Sequence, residues 1–214
     1  MAIKTKQLQE LVLQSLEHEL GGVKVYETAL DCVINEDLEA EWERYLAETK
    51  RHAESLTRVC EALGLDAGRE TPGRKVVRHN GVALVEAMKL AMTGGDASAA
   101  ELVACECVVL AETKDHADWA LLGQCADALE EGKAKQALLA AYQEIEDQED
   151  EHLYHSRGWC RELWLQALGL PAVLPPPEET KRVRTAIGAA MAEQAADNAR
   201  RLAVTVPVRV RRIQ

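Results

Sequence analysis

Two near-copies of one octapeptide, LAETKRHA and LAETKDHA, carry residues whose types and spacing could do chemistry. The first copy places Glu48 four residues before His52, and the second places Glu112 four residues before His116. On an α-helix this spacing brings both side chains onto one face, about one turn apart. Carboxylate and imidazole groups that share a helix face are potential metal ligands.

Two further places in the sequence offer the same kinds of side chain. Glu149 and His152 have the Glu-x-x-His spacing. Glu19 occupies one position of an apolar repeat, where a carboxylate is costly unless something compensates it. It is therefore a candidate ligand, although the nearby Gly21-Gly22 pair could instead loosen the helix and let Glu19 reach water. Such clusters, repeated on several helices, are how helical bundles build a two-metal site.

Four long helical patterns must position these residues. In each pattern the apolar residues recur at steps of three and four, which is typical of the helices of an antiparallel bundle. The candidate ligands interrupt each apolar stripe near its middle. Any one glutamate alone could lie on a solvated face, since 29% of the residues are charged, but their convergence indicates a shared site. The patterns cover about 5–34, 36–63 after an Asn35 cap, a stretch from Asp96 or Ser98 to about 126, and 133–168.

Residues 65–95 are the least regular part of the predicted bundle. They contain six glycines and prolines and one short helical pattern, Val82–Met92. A connection of this length can carry the chain back along the bundle, so that the third helix need not run antiparallel to the second. The sequence therefore predicts an all-α four-helix bundle with a long crossover between helices 2 and 3.

Composition argues against several classes of protein. A net charge of −11 over 214 residues disfavours nucleic acid as a partner. The first residues contain no apolar signal core, and no stretch approaches the roughly 18 apolar residues of a membrane span. The six cysteines include no Cys-x-x-Cys pair. We therefore expect a cytoplasmic protein with reduced thiols and no membrane contact.

The carboxy-terminal part differs in character from the rest. Residues 169–171 end the fourth helix, and three consecutive prolines at 175–177 predict a stiff, extended spacer. Eight lysines and arginines follow from Lys181 onward, against two acidic residues, and an Ala-rich stretch predicts another helix. We therefore expect a bundle at 1–170 and a basic arm at 171–214. A basic arm on an acidic body predicts a homo-oligomer, and the alternating end of the chain could be a strand, a docking arm or a disordered tail.

The order of these motifs resembles the ferritin-like family over about residues 5–168. The sequence LAETKRH, followed by CEALG at the end of the second helix, is most similar to the small, stress-associated YciF-like branch. The resemblance implies two metal ions, held by one glutamate from each of two helices and by Glu-x-x-His from each of the others. On this chain it implies that the four carboxylates and the histidine of the fourth helix are Glu19, Glu48, Glu112, Glu149 and His152.

Two histidines depart from the family pattern. His52 follows its glutamate by four residues, with Thr49 at the three-residue offset, which leaves open whether His52 is a direct ligand. His116 is additional and could be a seventh ligand, a partner of a ligand or a packing residue. Tyr26 and Trp119 each lie seven residues after a proposed ligand. They could hydrogen-bond to ligands, carry an electron or simply fill the core.

The ligand types and the resemblance lead to one leading function and two alternatives. Carboxylates with imidazoles suit two iron ions, or manganese, better than metals that favour thiolates. We therefore expect oxidation of Fe(II) by O₂ or peroxide in a stress or metal-handling role. One alternative is a di-iron oxygenase, which needs a pocket for a small organic substrate beside the site. The other is a non-catalytic helical assembly protein whose clusters form ion pairs without metal.

Overall fold

The structure is a computed structural model that describes residues 3–205, with only the backbone of residues 202–205. Helices are the regular structure of these residues, and no strand occurs among them, which confirms the predicted all-α class. In chain order the helices are α1 (Thr5–Leu30), α2 (Glu36–Ala62), α3 (Pro72–Thr93), α4 (Ala97–Ala128), α5 (Lys133–Ala167), α6 (Pro177–Thr180) and α7 (Ala186–Thr205).

The four longest helices, α1, α2, α4 and α5, surround a common core. Both α1 and α5 pack against α2 and α4, so the four helices close a ring. The core has two apolar clusters, one containing Trp42 and Trp159 and the other containing Trp119 and Leu13. Burial of each such side chain stabilises the fold by roughly 2–3 kcal/mol. On each of the four helices the candidate ligands lie, in sequence, between residues of the two clusters.

Side-chain caps mark where α2 and α4 begin. The Asn35 side chain accepts hydrogen bonds from the backbone N–H groups of Asp37 and Leu38 in the first turn of α2, which confirms the predicted cap. Asp96, rather than Ser98, caps α4. α1 ends at Leu30, earlier than predicted, because the backbone N–H groups of Ile34 and Asn35 both donate to Glu101 of α4, at 2.8 Å. This contact fixes the turn between α1 and α2 against α4.

The crossover contains a much longer helix than the sequence predicted. α3 runs from Pro72 to Thr93, whereas only Val82–Met92 was expected to be helical. Thr71 caps it and proline occupies its first turn, as helix starts favour. Gly81 lies within this helix and faces Gly21 of α1, where an added Cβ would make an ordinary contact 3.6 Å from the Gly21 Cα. The glycine that indicated irregular chain therefore lies at a contact between two helices.

An ion-pair cluster attaches α3 to α1. Glu17 of α1, which its position in the apolar repeat predicts to be solvated, is in fact buried and bonded to Arg74 and Arg78 of α3. Burial favours the neutral carboxyl, but the two guanidinium groups outweigh it and hold the Glu17 pKa below its usual value. The prediction failed because the partners of Glu17 lie some 60 residues away in the sequence.

The basic arm folds back onto its own bundle in the described residues. α6 and α7 pack against α5. Arg184 donates to Glu151 of α5 at 2.6 Å, and Arg200 donates to the fully buried Glu162 at 2.8 Å. The alternating end of the chain, for which a strand, a docking arm or a tail was expected, lies outside the described residues from 206 onward.

Two further expectations concern membranes and thiols. None of the described helices combines the length and the apolar character that a membrane span requires. All six cysteines are free thiols, as predicted. Burial raises the pKa of Cys105 well above its usual value, so this thiol stays protonated and unreactive.

Candidate metal centre

The four long helices bring five predicted ligands together between the two apolar clusters. One ligand atom from each of Glu19, His52 and Glu149 lies within 4.8 Å of the other two, and the same holds for Glu112, Glu149 and His152. All five side chains are buried. Glu149 belongs to both groups, so the two groups form one continuous centre with a shared carboxylate.

Many polar atoms in this centre have no hydrogen-bond partner within the described part of the chain. Leaving a buried polar atom unpaired costs about 1–3 kcal/mol, and native proteins rarely tolerate it. Several such atoms on facing side chains are therefore an expensive arrangement unless a ligand satisfies them. This donor set fits metal ions. The atoms without an aligned hydrogen bond are Oε2 of Glu19, Oε2 of Glu112, both carboxylate oxygens of Glu149, and Nδ1 of His52 and of His152, although Nδ1 of His52 and Oε1 of Glu149 form a close ion pair.

The two histidines lie on either side of the centre. The Nδ1 atom of His52 is 2.8 Å from Oε1 of Glu149 and 3.7 Å from Oε1 of Glu19. The Nδ1 atom of His152 is 3.6 Å from Oε2 of Glu112 and 3.9 Å from Oε1 of Glu149. Ligands about 2.1 Å from one ion lie about 3 Å apart at right angles, so these separations need little adjustment to hold a cation.

The electrostatics of the centre favour protons in the absence of a cation. Burial raises the pKa of Glu19 well above its usual value, and the neighbouring Glu149 raises it further. Burial opposes a charge on His152, but the carboxylates of Glu112 and Glu48 outweigh burial and raise its pKa to about 10. Binding of a cation would therefore displace protons from buried groups.

Two aromatic residues orient the carboxylates. Trp119 donates from Nε1 to Oε1 of Glu19 at 2.7 Å, and the Tyr26 hydroxyl donates to Oε1 of Glu112 at 2.9 Å. Both aromatic side chains are also buried. Each of them therefore hydrogen-bonds to a predicted ligand and also fills the core. In each carboxylate one oxygen is held by the aromatic residue, and the other is left for a ligand.

Glu48 lies beside the centre rather than within either group. Its Oε2 atom is 2.9 Å from Nε2 of His152, the ring nitrogen on the far side from Glu112 and Glu149. Arg44 and Arg51 approach its other oxygen at 3.9 and 3.8 Å. In this position Glu48 fixes the tautomer and orientation of His152, which is how carboxylates commonly support a metal-binding histidine.

His116 also lies outside both groups. Its Nε2 atom is 2.8 Å from Oδ1 of Asp150, and its side chain is 33% exposed. His52 and His116 occupy equivalent positions in the two octapeptides, yet the structure brings only His52 into the centre. The sequence spacing cannot predict which of the two histidines points inward, because tertiary packing sets the rotation of each helix about its axis.

The sequence reasoning missed Asp115. This residue is buried, and its Oδ1 atom has no partner in the described residues. Burial raises its pKa well above the usual value, as do the charges of Glu149, Glu19 and Glu112. Two signals could have found it. Asp115 is the single difference between the octapeptides, where the first copy has Arg51, and it follows Glu112 at the same offset as His152 follows Glu149.

A second buried polar cluster lies nearby on α2 and α5. Glu41 accepts hydrogen bonds from the hydroxyl of Tyr45, from Nδ1 of His155 at 2.8 Å, and from Nε1 of Trp159 at 2.7 Å. Both oxygens of Glu41 are therefore satisfied. The ring of Tyr45 also packs on that of His152, with centroids 4.0 Å apart, so the two clusters are in contact.

Comparison with known proteins gives no further assignment. No protein-family model matches this sequence, and neither does any curated protein or solved structure. The geometry of the centre is therefore the basis for a functional proposal.

Proposed function

We propose that this chain is a ferritin-like four-helix protein that binds two iron ions at the candidate centre. The carrying observation is the set of unpaired oxygen and nitrogen atoms, contributed by all four long helices and gathered around Glu149. A buried set of this kind destabilises the protein until a cation binds. The YciF-like resemblance of the octapeptide supports the same proposal.

The donor types support iron, with manganese as the alternative. The two groups contain carboxylate oxygens and imidazole nitrogens and include no thiol, a set that hard or intermediate divalent cations prefer. Glu149 would be shared between two ions, with His52 beside one and His152 beside the other. Bound iron would supply the electrons that reduce O₂ or peroxide. The protein would hold the ions, exclude bulk water and release the protons that Glu19 and His152 carry in the absence of metal.

The proposed role is oxidation of Fe(II), as substrate, in stress or metal handling within the cytoplasm. Six free cysteines support a reducing compartment. Oxidation of Fe(II) removes an ion that would otherwise react with peroxide in solution. The stress assignment rests on the resemblance, and the metal assignment rests on the geometry.

One cleft favours the oxygenase alternative. A cavity of about 400 Å³ lies between α1, α3 and α4. Its lining includes His18 and Ala111, which are the chain neighbours of Glu19 and Glu112. Val25 contributes apolar surface to the same cavity. This volume suits a small organic molecule.

Metal titration tests the proposal directly. Anaerobic Fe(II) added to the metal-free protein should bind at two equivalents per chain, and exposure to O₂ should consume oxygen without any organic substrate. Glu149→Ala should lose the bound iron, whereas Glu144→Ala, an exposed position on the same helix, should retain it. Oxygen uptake that requires an added organic substrate would favour the oxygenase. If the parent protein binds neither iron nor manganese, the remaining alternative is a non-catalytic assembly protein.

We also propose that the arm supports a homo-oligomer. Ile187 and Met191 of α7 are 71% and 68% exposed, so this helix presents apolar surface beyond what its own bundle covers. Replacing both with glutamate should lower the mass measured by light scattering while circular dichroism stays unchanged. The same mass for parent and variant would contradict an interface at this helix.

A further inference from the structure

A small cavity leads from the outside of the bundle toward the candidate centre. It has a volume of about 40 Å³, lies between α4 and α5, and is separate from the larger cleft beside α3. A cavity of this size accommodates a water molecule, which needs roughly 10–15 Å³ by this measure. It is therefore wide enough for a partly dehydrated cation, but not for an organic substrate.

The inner wall of the cavity belongs to the candidate centre. Glu149 lines it, and neither carboxylate oxygen of this buried residue has an aligned hydrogen-bond partner in the described residues. Trp119 lines it as well, and its Nε1 atom holds the Glu19 carboxylate. An ion in the cavity would thus meet the shared ligand of the two groups.

The outer wall is acidic and reaches solvent. His116 and Asp150 form a pair at 2.8 Å, with 33% and 20% of their side chains exposed, and the exposed Glu146 lies beside them. Carboxylates at the mouth of a narrow passage concentrate cations there and raise the rate of association.

Tyr142 borders the passage and closes the helix interface beside it. Its ring packs so tightly against Gly123 of α4 that an added Cβ would lie 2.6 Å from a ring atom. The Tyr142 hydroxyl donates to Glu146, which holds that carboxylate next to the cavity. The absence of a side chain at position 123 lets the tyrosine seal this part of the interface, so that the acidic mouth is the opening.

We propose that this cavity is the route by which divalent cations reach the centre, and that His116 and Asp150 are the transient ligands at its mouth. The inference rests on the proposed metal-binding function and adds a path and two positioning residues to it. It also gives His116 a role that its place outside the centre leaves open. Transfer would move the ion from the Asp150 carboxylate to that of Glu149, since both side chains line the same small cavity.

A steric plug tests the route. Ala120 lines the cavity but is exposed on α4, so Ala120→Trp can block the mouth without filling the core. The matched control is Ala99→Trp, an exposed position about 30 Å away along the same helix. Cobalt(II) is the probe, and its visible absorption is followed after rapid mixing with metal-free protein. Ala120→Trp should slow binding by about tenfold or more, with the same final absorption, and Ala99→Trp should bind at the parental rate.

A charge variant tests the mouth independently of the plug. Glu146→Gln with Asp150→Asn should slow cobalt binding several-fold and weaken its dependence on salt, because the attracting charge is gone. Parental rates in both the plug and the charge variant would overturn the route while leaving the metal centre intact. A parent protein that binds no cobalt at equilibrium would overturn the proposed function, and this inference with it.

Discussion

Two buried clusters of glutamate and histidine lie next to each other in this bundle, and they differ in how their polar atoms are satisfied. At Glu41, three donors from Tyr45, His155 and Trp159 occupy both carboxylate oxygens. At Glu149, neither oxygen has an aligned partner in the described residues, although the residue is as deeply buried. The Glu41 carboxylate is satisfied without a ligand, although Nε2 of His155 beside it has no partner in the described residues, whereas the Glu149 carboxylate is not satisfied.

The comparison shows what identifies a candidate site in a helical bundle. Buried glutamate and histidine are common to both clusters, so burial and residue type do not distinguish them. The unpaired atoms do, because a protein that evolves for stability alone pairs or removes such groups. This difference is the basis for proposing a structural role for the Glu41 cluster and a binding role for the Glu149 cluster.

The largest expected effect is the loss of stability on breaking the complete cluster. Glu41→Gln replaces an oxygen by an amide nitrogen, which cannot accept a hydrogen bond, and leaves at least one buried donor unpaired. The free energy of unfolding in urea should fall by about 3 kcal/mol. Glu43→Gln, at an exposed position of α2, is the control and should change it by less than about 0.5 kcal/mol. A loss as small as that of the control would remove the distinction between the clusters.

A smaller effect is expected from the carboxyl group that borders the Glu41 cluster. Burial and the Glu41 charge raise the pKa of Glu179 from 4.5 to about 8. The folded state therefore holds a proton that the unfolded chain releases, so the stability from this group is complete below pH 4.5 and is lost as the pH rises through 8. Glu179→Gln should be more stable than the parent at pH 9, by less than about 1 kcal/mol because the group is only partly buried, and equal to it at pH 4. A constant difference across this range would contradict the assignment.

The smallest effect on stability is expected in the candidate centre. Glu19→Gln keeps an oxygen to accept from Trp119 and removes a carboxyl group whose charge burial disfavours. In the presence of a chelator, the free energy of unfolding should equal or exceed that of the parent. A loss comparable to that of Glu41→Gln would mean that Glu19 is part of a satisfied structural cluster, contrary to our assignment.

The sequence was sufficient to predict the long helices and most of the centre. The apolar residues that recur at steps of three and four form the core of the structure. Glu19, Glu112, Glu149 and His152 interrupt this repeat where the helices meet. These predictions succeeded because helical periodicity alone determines which residues share a face.

The remaining features depend on contacts between helices, which the pattern does not contain. Gly81 indicates a break when α3 is read alone, yet the helix runs through it at the contact with Gly21 of α1. His116 and Asp115 are adjacent, and the packing of α4 decides which of them points inward. The sequence did not single out Glu41, because its three donors lie on two helices.

Thermal melting of three proteins, each with chelator and with anaerobic Fe(II), tests the central claim most directly. Binding at a hundredfold excess over Kd stabilises the folded state by about 2.7 kcal/mol, which corresponds to a rise in Tm of about 5–10 °C for a protein of this size. We expect this rise in the parent and in Glu41→Gln, which starts from a lower Tm, and the loss of most of it in Glu149→Ala, which removes the ligand common to both groups. No rise in the parent, or an equal rise in Glu149→Ala, would contradict the assignment of the Glu149 cluster as a metal centre.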